Sequence, residues 1–176
     1  GGRLLTLTHT EGRDAPMAAE ALRRLREIIY SLDAEQEITL NAAVARWRFE
    51  VLERCNKAGA AFHWRWREPG RDICLPPRHY LNITAMLREA LSNIFRHAPG
   101  ACADFDLRVE DGVLHIHICN DGVPEPEGAV APGKGLRNMR VRAGELDGEF
   151  SYTCRKGRFC ICLSIPVGAQ EEGNDA

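Results

Sequence analysis

The sequence predicts an α+β fold. Segments with the three-and-four spacing of amphipathic helices are interleaved with segments of strict two-residue alternation. Two pairs of the alternating segments are joined by Asp111-Gly112 and Lys156-Gly157, short turns of the kind that close antiparallel hairpins. The length of 176 residues, 44% of them hydrophobic, suits one compact domain with a short attached element and is crowded for two.

In chain order, Gly1 to His9 is weakly patterned, and Thr10 to Pro16 reads as a turn with Asp14 placed to cap the next helix. From Met17 to Leu32 the apolar residues Ala18, Ala21, Leu22, Leu25, Ile28, Ile29 and Leu32 form a near-heptad seam, read as half of a helical hairpin that dimerises, with a helix packed on its own domain as the alternative. Asp33 to Glu37 breaks the pattern and separates two units: 1–36, and a domain over 37–167. A second helix is expected from Leu40 to Lys57, with Ala43, Val44, Trp47, Val51 and Cys55 inward and Gly59 as its stop. Phe62, Trp64 and Trp66 alternate with charged residues as in a half-buried strand, their rings directed to the core. Pro69-Gly70 and Pro76-Pro77 bracket a loop, after which Leu87, Leu91, Ile94 and Phe95 form the apolar stripe of a helix. Two strands follow, around Phe105–Val109 and Val113–Cys119. The second puts His115 and His117 on the face opposite Leu114, Ile116 and Ile118, a face that reads as solvated, with a metal site as the alternative. Val123 to Pro132 is an acidic, proline-rich loop. A helix from Leu136 to Leu146 and a hairpin of Glu149–Cys154 with Arg158–Ile165 complete the domain, and 168–176 reads as a disordered tail.

The totals exclude some roles. A net charge of −2 makes no case for nucleic acid, and no apolar run approaches the ~20 residues that cross a bilayer. The seven cysteines show no Cys-x-x-Cys spacing, and their odd number argues against a disulfide framework. They are expected to be reduced, small and mostly buried in a cytosolic protein, with Cys154, Cys160 and Cys162 the group a hairpin could gather around a metal.

Three pieces carry complementary chemistry. Glu89, Asn93 and His97 recur every four residues and stand one above another on a polar helix face, a carboxylate, amide and imidazole able to meet a hydrated cation and phosphate oxygens. Asp121-Gly122 closes a strand, where a carboxylate can accept from an exocyclic amine and glycine lets a flat ring approach the backbone. Gly133-Lys134-Gly135-Leu136 opens a helix, where free N–H groups and the positive dipole end suit phosphate, with Lys134 adding charge.

In that order the pieces resemble the ATP-binding domain of the GHKL superfamily. Glu89-Ala-Leu-Ser-Asn93 with Arg96-His97-Ala98 is similar to its N box, Asn120-Asp121-Gly122 to its first glycine box, and Gly133 to Met139 with Arg142-Ala143 to its second. The last group is most similar to sensor histidine kinases of the nitrate-sensor and DesK type. The resemblance implies a Bergerat fold, a two-layer sandwich with a mixed sheet covered by helices on one face. It also implies ATP and Mg²⁺ as cofactors: Asn93 as metal ligand, Glu89 orienting groups about the metal, His97 near the phosphates, Asp121 and Gly122 at the adenine, and Gly133 to Leu136 at the triphosphate. The implied activity is transfer of the ATP γ-phosphoryl group to a histidine in a cytoplasmic homodimer, or in the cytosolic part of a membrane receptor, with a response regulator as the next acceptor. None of the six histidines is followed by Asp or Glu, as that family's phosphoacceptor is, so the substrate histidine is expected on a dimerisation domain outside this chain. Pro124 stands where a second glycine is usual, and Phe159 where a small hydroxyl residue is usual. The alternatives are a serine/threonine kinase of the anti-sigma type, which lacks a dimerisation hairpin, and a non-catalytic nucleotide-binding or protein-interaction module.

Overall fold

Helix α1 (Leu40–Ala58) starts where the Thr39 hydroxyl accepts the Ala42 N–H, and it ends at Gly59, whose φ of 62° lets its N–H turn back to the Asn56 and Cys55 carbonyls. These elements belong to a computed structural model that describes residues 37–123 and 133–168. Strand β1 (Ile38–Thr39), just before α1, pairs antiparallel with β3 (Cys74–Leu75) in a two-stranded ribbon that the periodicity does not reveal. Between them runs β2 (Ala61–Arg67). Helix α2 (Pro77–His97) follows β3, with Pro77 in its first turn, where a missing N–H costs nothing.

The main sheet is completed by β4 (Cys102–Glu110), β5 (Val113–Asn120), β6 (Glu149–Arg155) and β7 (Arg158–Pro166), in the order β2-β4-β5-β7-β6. Only β2 and β4 run parallel, joined by the crossover through α2. The other pairs are antiparallel, and two are hairpins. Their turns place Asp111 and Gly112 at φ 50° and 75°, and Lys156 and Gly157 at 51° and 73°, the doubly left-handed conformation that matches strand twist. Helix α3 (Lys134–Gly144) begins two residues before the expected Leu136, because Gly133 is its N-cap, and it ends two residues before Leu146.

The sheet is mixed and the three helices cover one of its faces, the α+β sandwich that the sequence predicts. Alternation makes this possible. Phe105, Leu107, Leu114, Ile116, Ile118, Ile161, Leu163 and Ile165 all point to the helices and are at most 3% exposed. The intervening residues of the same strands form the open face. Trp64 stacks on Phe105 at 5.4 Å between ring centres, so the β2 aromatics are core, as expected. At the centre of the helical layer, Trp47 is 2% exposed and donates its indole N–H to Thr84 at 2.8 Å, joining α1 to α2.

The cysteine expectation needs correction. Cys119 and Cys160 are joined as a disulfide. They are direct partners in the antiparallel ladder of β5 and β7, and this register, which spacing within the sequence does not disclose, brings them together. Of the other five, Cys74 and Cys162 are exposed and only Cys55 is buried. Cys154 shares its face of β6 with Phe150 and Tyr152, whereas Cys160 and Cys162 point to the open face, so the three do not gather around a metal. The helix expected at 17–32, the dimerisation hairpin of 1–36, the loop containing Pro124 and the tail from residue 169 lie outside the described residues. Gly168 is held by a 3.0 Å hydrogen bond from its N–H to the Gly112 carbonyl.

Candidate functional site

Helix α2 supplies the spine of the site. Ile83, Met86, Leu87, Ala90, Leu91 and Ile94 are buried, and this stripe fixes the rotation of the helix about its axis. That rotation leaves Glu89 and Asn93 half-buried and His97 exposed at the last turn. Side-chain bonds hold the helix from both flanks. On one side, Arg88 makes a two-pronged contact with Glu50 of α1 at 2.6 and 2.9 Å, and Arg54 donates to Ser92 at 3.1 Å. On the other, Arg142 of α3 donates to the fully buried Asn82 at 2.7 Å. The Asn82–Arg142 link is legible in the sequence only as an amide on an otherwise apolar helix face.

The two glycine motifs lie at opposite ends of the polar column. At its Glu89 end is the first turn of α3: a Cβ added to Gly135 would overlap the Glu89 carboxylate. Glycine there lets the carboxylate come this close; its backbone angle lies outside the left-handed region, so the contact concerns space and not strain. Gly133, the N-cap of α3, has no side chain to cap the helix, and the first turn holds no acidic residue, so no carboxylate of that turn competes for its N–H groups and positive dipole end. Lys134 is exposed beside them. Leu136 is 8% exposed and its side chain belongs to the core, so it can serve this site only through its backbone.

At the His97 end is Gly122, with φ 73°; a Cβ there would lie 3.8 Å from Ala98, the residue after His97, and 3.7 Å from Ala101. The left-handed backbone at Gly122 turns the chain out of β5 against the end of α2. Asp121 is exposed, and its Oδ1 accepts the Cys102 N–H at 3.0 Å. This bond fixes the carboxylate and leaves its second oxygen able to accept from a ligand. Asn120, 3% exposed, donates to the Asp121 carbonyl at 2.8 Å and braces the same turn. Burial raises the Cys102 thiol above its ordinary pKa, and the Asp104 and Asp121 carboxylates push in the same direction. From Glu89 to His97 a helix rises about 12 Å, the distance that separates the Gly135 end of the column from its Gly122 end.

No family model matches the chain. It is 26% identical to sensor histidine kinase YxjM of Bacillus subtilis over 153 residues, covering 86% of this chain and 36% of that protein. It is 27% identical to sensor histidine kinase LnrJ of the same organism over 143 residues, covering 81% and 34%. Among solved structures, the catalytic domain of histidine kinase ThkA superposes with a TM-score of 0.60 at 16% identity, covering 75% of this chain and 96% of that one. ThkA in complex with response regulator protein TrrA gives 0.58, also at 16% identity, covering 93% and 53%. The chain has the fold of histidine kinase catalytic domains. It spans about a third of the length of the curated sensor kinases it matches.

The structure brings Glu89 to Gly135 and Gly122 to the end of α2, while Asn93 lies between on the same face.

Proposed function

We propose that this chain is the ATP-binding catalytic region of a sensor histidine kinase, and that the column Glu89, Asn93, His97 is the wall along which Mg-ATP lies. The observation that carries this reading is the bounded column: an uncapped helix N-terminus touches it at one end, and a fixed, exposed carboxylate adjoins the other.

The residues fit both groups. The oxygen of Asn93 is a hard donor suited to Mg²⁺, which takes few protein ligands and keeps several waters, and the Glu89 carboxylate beside it orients water about the metal. The first N–H groups of α3, with Lys134, receive phosphate oxygens. His97 adds a donor at the outer edge. The free oxygen of Asp121 accepts from the adenine amine, with the ring against Gly122. When bound, ATP supplies the transferable γ-phosphoryl group and Mg²⁺ part of the charge that offsets the phosphates. The protein's own contribution is position and electrostatics, because phosphoryl transfer asks little covalent chemistry of its catalyst.

The acceptor in this proposal is a histidine outside the chain, on a dimerisation domain of which residues 1–36 are part, and the phosphoryl group passes on to a response regulator in the cytoplasm. The likeness to ThkA, solved with the response regulator TrrA, supports that partner class. No helix among the described residues is long and apolar enough to cross a membrane.

Calorimetric titration of the chain with ATP and Mg²⁺ tests the reading. Binding that needs Mg²⁺ and is lost in Asn93→Ala is the expected result. A chain that binds neither ATP nor ADP at millimolar concentration, with Mg²⁺ present, overturns it.

A further inference from the structure

The sheet face that no helix among the described residues covers holds an arrangement the proposed nucleotide site does not use. Cys119 and Cys160 are direct ladder partners on β5 and β7, and His117 and Cys162 are the next outward-facing pair along the same ladder. His117 Nε2 lies 3.4 Å from Cys119 Sγ. The imidazole nitrogen and the two sulfurs all fall within 4.8 Å of one another. Above them opens a groove of about 450 Å³, bordered by Arg65, Asp104, Asp106, Arg155 and Arg158.

A plain structural staple accounts for part of this arrangement. Disulfides stabilise small domains that cannot bury enough apolar surface. This domain does not have that need, since its inward strand residues and helix stripes already form a continuous core. Nor does a staple call for an imidazole at its edge or for open access from solvent. A soft-ligand site calls for both.

We propose that His117, Cys119 and Cys160 form a thiol-gated site for one thiophilic cation of the Zn²⁺ class. In the disulfide the sulfurs are poor ligands and the site is closed. A dithiol reductant opens it: two electrons and two protons pass to the S–S bond, giving two thiols, and the reductant leaves as its own disulfide. The cation then displaces the two thiol protons and is held by two thiolates and the neutral imidazole, with its fourth position facing the groove.

The geometry is close to what such an ion requires. Tetrahedral ligands at ~2.3 Å from zinc stand roughly 3.8 Å apart, so side-chain rotation alone opens the cluster to that size. Asp106 on β4 is the direct ladder partner of His117; its carboxylate pairs with Arg65 at 3.2 Å and Arg108 at 3.8 Å, and its Oδ1 is buried with no hydrogen bond among the described residues. Zinc-bound imidazoles commonly donate their second N–H to such a carboxylate. A reducing compartment, where cysteine pairs are kept as thiols, is the setting in which the site is open.

Titrating the phosphine-reduced chain with Co²⁺, then displacing it with Zn²⁺, tests the proposal. A thiolate-to-cobalt charge-transfer band saturating at one equivalent and bleached by Zn²⁺ is expected from the reduced chain, and none from the oxidised chain. The oxidised–reduced comparison needs no substitution, so it holds even if a variant misfolds. Cys119→Ser and Cys160→Ser should each lose the band, and His117→Ala should weaken Zn²⁺ at least tenfold in competition with a chromophoric chelator. His115→Ala and Cys162→Ser should leave it unchanged. No band in the reduced chain, a band that survives Cys119→Ser with Cys160→Ser, or full affinity in His117→Ala would each overturn the proposal.

Discussion

Glu89 and Gly135 are in contact across two helices: the carboxylate of one occupies the space that any side chain at the other would need. The pair couples the polar column of α2 to the N-terminus of α3. Gly135→Ala separates two effects. Alanine favours a helix over glycine by about 1 kcal/mol, and Glu89 is the flexible end of a half-buried side chain that can swing aside. Thermal stability should therefore change little. Mg-ATP affinity should fall at least tenfold, because the displaced carboxylate no longer stands where, in the proposed site, it orients water about the metal. Paired melting and calorimetric titration check this, and equal loss of both would assign the contact to folding alone.

Asp121 carries the second prediction. Asparagine at this position keeps an oxygen to accept the Cys102 N–H, so Asp121→Asn should fold as the parent does. It loses the charge that, in the proposed site, receives the adenine amine. A site that hydrogen-bonds a ligand group in a dry pocket can reject analogues by up to ~10⁴-fold, and an exposed carboxylate should give less. The expected result is a loss of ATP affinity of tenfold or more, with the ratio of ATP to GTP affinity moving toward one. An unchanged ratio would place the adenine elsewhere.

Helix and strand periodicities foreshadow the core, and so does the outward set Glu89, Asn93, His97, because both depend on spacing within single elements. Pairing between elements is another matter. Nothing along the chain aligns Cys119 with Cys160, since these residues are 41 apart and meet only through the register of two strands. The ribbon of Ile38–Thr39 with Cys74–Leu75 is too short to show alternation. The Asn82–Arg142 bond joins residues whose types alone suggest no partner. Gly135 shows the middle case: the motif marks it as special, but only the packing of α3 on α2 shows that the neighbour is Glu89.

Thr84 makes a third prediction, on stability. Its hydroxyl accepts the Trp47 indole N–H at 2.8 Å and donates to the Tyr80 carbonyl at 2.6 Å, all in the seam between α1 and α2. Thr84→Val preserves the shape and removes both bonds, leaving a buried indole N–H without an acceptor. The cost should be about 1–3 kcal/mol, read as a lower urea midpoint at unchanged slope. Trp47→Phe removes the orphaned donor, so the double variant should lose less than the sum of the two single losses.

His79 gives the pH dependence. Burial holds its imidazole below the ordinary value of 6.5; a hydrogen bond to the Pro166 backbone opposes the shift, Arg78 adds to it and Asp147 opposes it. Nδ1 is buried and has no hydrogen-bond partner. For a base whose folded pKa is lowered, the unfolded chain takes up the proton first. Above the ordinary value both states are neutral and the group contributes no slope. As pH falls below 6.5 the unfolded state is favoured, and the loss of stability continues down to the folded pKa, where both states are charged. His79→Gln stays neutral throughout, so its urea midpoint should decline less than the parent's between about pH 7.5 and about pH 5.5. Parallel declines in the two proteins would show that His79 is as free to protonate in the folded chain as in the unfolded one.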